Sequence, residues 1–216
     1  MIYKGILFDF DGVVINSMHQ HYDAWSRAFA EKGIAFEKEE FFLMEGQGVG
    51  TIASALGNKY GLDEQESLEL LEIKVRHYYK SVKIEFYDFL LDLLVKLKNK
   101  KVPMAVVTGG NRERVEKVIT KHLHGFFEAI VTIDDVKNGK PHPEPFISGA
   151  DKLGFKPQQC IVIENAPLGI RAAKSAGSKV IAVKTTLQNQ HLSEADYICD
   201  DFIQVSKQID DLVNKK

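Results

Sequence analysis

Cysteine is scarce. Of 216 residues only Cys160 and Cys199 carry a thiol, which is too few for a disulfide framework and fits no metal-binding spacing, so a reducing compartment is expected. An excess of one charge is also missing. Lys and Arg number 28 against 30 Asp and Glu, a net −2, which leaves no basic surplus for a phosphate backbone and makes nucleic acid an unexpected partner. No apolar run reaches the roughly 18 residues that a membrane helix needs. The first apolar run, entered through Met1 to Ile6, is broken at once by Asp9 and Asp11 and does not read as a secretion signal. The expected location is the cytoplasm. No low-complexity linker or internal repeat divides the chain. What is present, 44% hydrophobic and 27% charged residues, is the composition of a globular protein.

Five short apolar runs, Gly5–Asp9, Met104–Thr108, Ala129–Ile133, Cys160–Glu164 and Val180–Val183, lack polar alternation. Strands of a parallel sheet covered on both faces read this way. Amphipathic helical patterns separate them. Asp88 is placed to cap one carrying Phe89, Leu90, Leu93, Leu94 and Leu97, and Asn111 one carrying Val115, Val118 and Ile119. A third runs from Pro167 to Gly177, with proline in its first turn and glycine past its end. Repetition of strand and helix predicts an open α/β sheet. Residues from about Ser17 to about Phe86 break that rhythm with helical patterns alone. The chain therefore divides into a core of residues 1–16 and 87–216 and an inserted helical segment, 17–86.

Polar residues end several of these strands: Asp9 the first, Thr108 the second, Glu164 the fourth. Open parallel sheets bind ligands at such ends. Asp9 and Asp11 stand two apart, so on extended backbone both carboxylates would face one side, and Gly12 lets the chain turn away. Two like charges so close need a cation between them, and oxygen donors alone select a hard ion such as Mg²⁺.

The segments Phe8-Asp9-Phe10-Asp11-Gly12-Val13, Val106-Val107-Thr108-Gly109-Gly110, Gly139-Lys140-Pro141-His142-Pro143 and Ile163-Glu164-Asn165-Ala166-Pro167-Leu168-Gly169 resemble, in order, the four motifs of the haloacid dehalogenase (HAD) superfamily. The resemblance spans essentially the whole chain and is strongest to capped phosphatases and β-phosphoglucomutases. It implies a Rossmann-like parallel-sheet core with an inserted helical cap. It also implies hydrolysis of small phosphorylated metabolites, sugar phosphates foremost, through an aspartyl-phosphate. In that scheme Asp9 attacks phosphorus, Asp11 acts as acid and then base, and Thr108 and Lys140 stabilise the transferring group. Mg²⁺ is held by Asp9, Asp11, Glu164 and Asn165. Gly109, Gly110, Asn111, His21, Gly46 and Gln47 surround the substrate. A monomer or weak oligomer is expected, without nucleic-acid or membrane partners.

Two departures from the pattern stand out. Asn165 occupies a position that is commonly acidic, which should loosen Mg²⁺; its other reading is a cap for the helix begun at Pro167. The early cap stretch Glu45–Thr51 has no Lys or Arg to grip the second phosphate that a mutase must retain, although Lys74 or Arg76 could reach in from another helix. Hydrolysis is therefore the leading expectation, a β-phosphoglucomutase-type phosphotransferase the alternative, and a non-catalytic phosphate- or metal-binding regulator a reading from another class. His21 has two readings, facing the active site or packed structurally, and His19, His122, His124 and His191 read as surface residues.

Overall fold

The computed structural model describes residues 3–214, with the side chain of Asn214 excepted. Six parallel strands form one sheet: β1 (Gly5–Phe8), β2 (Met104–Val107), β3 (Ala129–Val131), β4 (Cys160–Glu164), β5 (Lys179–Val183) and β6 (Tyr197–Cys199). Their order is β3-β2-β1-β4-β5-β6. In register, Phe8 lies beside Val106 on one flank and Ile163 on the other. The chain leaves central β1, builds outward through β2 and β3, then returns to β4 on the opposite side. Ligands of doubly wound sheets bind at the strand ends where such a reversal occurs. Asp9 and Glu164 are both there.

Every residue of β1, β2 and β4 is buried, and alternate residues serve opposite faces of the sheet. Ile6, Phe8, Met104, Val106, Ile161 and Ile163 pack with Leu90, Leu94 and Leu97 of α5 (Leu90–Asn99), Val115 and Val118 of α6 (Arg112–His122), and Val205 and Ile209 of α10 (Phe202–Asn214). Leu7, Val107 and Val162 pack on the other face with Phe146 of α7 (Glu144–Lys152) and Ile170 of α8 (Pro167–Ala176). Full burial of such a side chain contributes about 1.5–3 kcal/mol. Continuous apolar runs are what a sheet covered by helices on both faces requires.

Between β1 and α5 lie four helices: α1 (Met18–Glu31), α2 (Lys38–Phe42), α3 (Val49–Lys59) and α4 (Glu64–Ser81). They pack around aromatic rings. Phe29 stacks on Phe36 at 4.7 Å between centroids and lies 5.1 Å from Tyr60. Trp25, Phe29, Phe41 and Phe42 belong to the same apolar cluster as Leu7 and Phe146, so hydrophobic burial runs unbroken from the sheet into this segment. Asp63 and Glu66 form a reciprocal capping box that starts α4, leaving few of its first N–H groups without partners. Polar contacts also join the helical segment to the core. Glu39 meets His191 of α9 (Asn189–Leu192) at 3.0 Å.

Three expectations need correction. Asp88 does not cap α5: it sits in a turn, Phe89 occupies the N-cap position with a left-handed φ of 63°, and no side chain caps the helix. Asn165 does not cap α8, whose N-cap is Ala166; its amide is drawn to Glu45 instead. The sixth strand, β6, was not expected, because three residues between Asp196 and Asp200 are too short to carry a periodic signal. Asn111 does cap α6, accepting from Arg114 N–H. Among the described residues no helix is long and apolar enough to cross a membrane.

Candidate active site

One cavity lies where the helical segment faces the C-terminal ends of β1 and β2. Asp9, Asp11, Thr108, Gly109, Gly110 and Arg114 line it from the sheet side, and His21, Glu45, Gly46, Gln47 and Lys74 from the helical side. The chain leaves extended geometry at Phe8, and Gly12 takes φ +88°, a conformation that disfavours any residue with a Cβ. A Cβ there would also come within 2.3 Å of the Asn165 amide. The two aspartates therefore share a cavity but not a set of partners.

Asp9 is buried, 4% exposed. Its carboxylate accepts from Lys140 Nζ at 2.5 Å, and that ammonium also donates to Glu164 at 2.7 Å and to the Val107 carbonyl at 3.1 Å. The second oxygen of Glu164 accepts from the N–H groups of Asn165 and Ala166, so both of its oxygens have partners. Burial, opposed by Lys140 and reinforced by Glu164, pushes the Asp9 carboxyl up to about 7. Burial also disfavours the Lys140 charge, but Asp9 and Glu164 outweigh it and hold the ammonium above its usual range. Lys140, Glu164 and Asn165 are themselves buried.

Asp11 faces a different group of side chains. Arg114 grips both of its oxygens, Ser17 donates at 2.6 Å, and His21 Nε2 lies 3.3 Å away. Burial works to raise its carboxyl, but Arg114 and His21 hold it well below the usual carboxylate range. Behind His21, Lys74 Nζ approaches Nδ1 at 3.0 Å, and the Tyr78 ring stacks on the imidazole at 4.1 Å. Burial and the nearby Lys74 drive His21 down to about 3, so the imidazole is neutral. Burial and Arg114 bring Lys74 down to about 7.

Thr108 Oγ1 accepts from Gly110 N–H at 3.0 Å, shaping the turn that lines the cavity. A Cβ at Gly109 would stand 2.5 Å from the Gly46 carbonyl and 2.7 Å from that of Gln47. Glycine is needed here because the helical segment approaches this loop so closely. Asn111 stays outside the cavity as the α6 cap, and Arg76 points away to Glu31.

Arg114, Ser17 and Glu45 were not singled out from sequence. Arg114 had a readable cue: it stands at the third position of a helix whose cap, Asn111, follows the Thr108 loop directly. Glu45 had none. Its carboxylate arrives from the helical segment, 2% exposed, and accepts from Asn165 Nδ2 at 2.6 Å and Thr186 Oγ1 at 3.3 Å. Burial, then Asp9 and Glu164, hold it well above the usual carboxylate range.

A divalent cation fits the donors around Asp9. They are oxygens only, a hard set suited to Mg²⁺, and Asn165 Oδ1 is buried without a partner. Among the described residues no three acidic, histidine or cysteine side chains converge as a ready ligand cage. Mg²⁺ does not need one, since it binds through one or two carboxylates and keeps several waters.

This fold and site define a class. The sequence profile described as haloacid dehalogenase-like hydrolase matches residues 6–183, and the chain belongs to that family. It is 32% identical over 208 residues to validoxylamine A 7'-phosphate phosphatase of Streptomyces hygroscopicus subsp. limoneus, covering 94% of this chain and 96% of that one. It is 29% identical over 211 residues to hexitol phosphatase A of Escherichia coli strain K12, with coverage of 94% and 93%. A solved structure provisionally described as a β-phosphoglucomutase from Bacteroides vulgatus superposes with a TM-score of 0.86 at 33% identity, covering 98% of this chain and 89% of that one.

Proposed function

We propose that this enzyme is a Mg²⁺-dependent phosphatase of small phosphorylated metabolites, with sugar phosphates as the leading class. Phosphatases of similar length that align nearly end to end support a phosphoric monoester hydrolase. The observation that carries the mechanism is the placement of Asp9: a buried carboxylate at the central strand end, 2.5 Å from a fixed ammonium and open to the cavity. Asp9 attacks phosphorus and expels the alcohol, forming an aspartyl-phosphate that water then cleaves. Lys140 opposes the protonation of the nucleophile that burial favours and faces the charge that spreads onto the phosphoryl oxygens. Glu164 positions Lys140. Thr108, Gly109 and Gly110 bound the space for the phosphoryl group.

Asp11 protonates the leaving oxygen and later takes a proton from the attacking water. In the arrangement described it is an ionised carboxylate clamped by Arg114, so its acid role requires a proton and partial release from that clamp. Asp9, the Asp11 main-chain oxygen and Asn165 Oδ1 would hold Mg²⁺, with Glu164 supporting them from behind. The ion, when bound, screens nucleophile and phosphate from each other's charge. The helical segment over the cavity acts as a cap that keeps bulk water out. Residues 17–86 form this cap and the remainder the core.

A phosphotransferase of the β-phosphoglucomutase kind is the second reading. One observation favours it: Lys74 and Arg114 line the cavity and could meet a second anionic group. The test is a screen of phosphorylated metabolites with Mg²⁺ and with EDTA. Metal-dependent release of inorganic phosphate is expected. Conversion of a hexose 1-phosphate into the 6-phosphate without net release would establish the mutase instead. Tight phosphate binding without turnover of any substrate would leave only a regulator.

A further inference from the structure

The fourth motif presents an amide where its neighbourhood calls for a second charge. Both Glu164 oxygens already have partners: one faces Lys140 and the other takes two backbone N–H groups. Asn165 is neutral. Among the described residues Asp9 is thus the core carboxylate placed to bring negative charge to a cation at this point. Glu45 enters there from the cap, buried and 2.6 Å from Asn165 Nδ2 through one oxygen. Its other oxygen, Oε1, has no partner, and neither has Asn165 Oδ1.

Two orphaned, buried oxygens on adjacent side chains are costly unless a ligand completes them. The local charge count points the same way. Asp9 and Glu164 share the single ammonium of Lys140, Glu45 adds a third carboxyl close to both, and Arg114 and Lys74 are committed to Asp11 and His21. With one ammonium among them, three neighbouring carboxyls cannot all ionise without further positive charge, which a divalent cation would supply.

We infer that Glu45 is a cap-borne carboxylate of the cation site, supplying the negative charge that Asn165 lacks, so that cation binding and cap closure are coupled. This rests on the Mg²⁺ reading above. The coupling has a direct physical basis. The cation gains a charged oxygen only when the cap is seated, and the cap loses a buried repulsion between Glu45, Asp9 and Glu164 only when the cation is present. A fully core-borne site would bind its metal equally well with the cap open or closed.

Calorimetric titration of Mg²⁺ into the full chain, without substrate, tests this in wild type, Glu45→Gln, Asn165→Asp and the double variant. Protection of the cap from a protease is read in parallel, with and without Mg²⁺. Glu45→Gln keeps the contact to Asn165 and removes only charge; it should weaken Mg²⁺ about tenfold or more, which corresponds to about 1.4 kcal/mol. It should also abolish the protection that Mg²⁺ gives the cap. The double variant exchanges amide and carboxylate between cap and core, and should restore Mg²⁺ affinity without restoring metal-dependent protection. Asn165→Asp alone sets two carboxylates against each other and should loosen the cap in the absence of Mg²⁺. Wild-type affinity and metal-dependent protection in Glu45→Gln would overturn the role of Glu45 while leaving the Mg²⁺ reading intact. Failure of the wild type itself to bind Mg²⁺ would overturn both.

Discussion

The two sides of the cavity, built on aspartates only two residues apart, are electrostatic opposites. Around Asp9 the side chains are acidic: Glu164 shares Lys140 with it, and Glu45 stands near enough to be raised by both carboxylates. Around Asp11 they are basic: Arg114, Lys74 and a neutral His21 surround a single carboxylate. Burial alone would raise both carboxyls, and it does raise Asp9. Asp11 goes the other way because its cations outnumber its acids. Neighbours, more than depth, decide which form each group takes. A phosphate ester brought between the two halves would meet a cation-seeking side and an anion-seeking side. That suits a reaction in which charge must be screened at phosphorus while a proton moves at the leaving group.

The largest break in this comparison is expected from Asp9→Asn. The amide cannot attack phosphorus, so turnover should fall below about 1% of wild type; steady-state activity above that level would refute the nucleophile. Its thermal melt should hold near wild type, because Lys140 keeps Glu164 and the acidic excess falls. Asp11→Asn comes next, with a loss of about 10²–10⁴ in kcat/KM for alkyl phosphates. Aryl phosphates, whose leaving groups need less protonation, should lose less. Equal losses across a series of leaving groups would argue against Asp11 as the acid.

Arg114→Gln sharpens the contrast by weakening only the basic half. Without the guanidinium the Asp11 carboxyl should rise toward its ordinary value, so that the protonated acid persists to higher pH and the kcat/KM profile moves to higher pH with it. An unmoved profile would show that Arg114 does not govern Asp11. The smallest effect is expected from Lys74→Met. Because Lys74 is held near 7, the wild-type profile should contain an inflection there that this variant lacks, while the plateau changes only a few-fold. A persistent inflection would assign it to another group.

Much of the architecture was legible in the residues. Five of the six strands announce themselves because a strand buried on both faces must be apolar throughout, and Ile161-Val162-Ile163 can hardly be read otherwise. β6 stayed hidden because Tyr197-Ile198-Cys199 is short and flanked by acids. The misplaced start of α5 has a similar cause: Asp88 has the chemistry of a cap, but the turn through Phe89 carries the chain past it before the helix begins. Within the site, Asp9, Asp11, Thr108 and Lys140 could be picked out because each lies in a distinctive local run at a strand end or in the loop beyond. Arg114, Ser17 and Glu45 could not, since an arginine in a helix or a glutamate in a loop looks the same whether it faces water or a buried partner.

Local chemistry therefore settles in this chain what depends on near neighbours along the backbone: strand character from continuous apolar runs, helix limits at Asn111 and from Pro167 to Gly177, and the turn that Gly12 permits after Asp9. The tertiary structure alone decided which charges meet. Lys140 reaches Asp9 across 131 positions, Arg114 reaches Asp11 across 103, and Asn165 reaches Glu45 across 120. The physical reason is range. Backbone geometry and side-chain alternation act over a few residues, whereas a buried charge takes its state from whatever the fold places within a few ångströms, however far away in sequence.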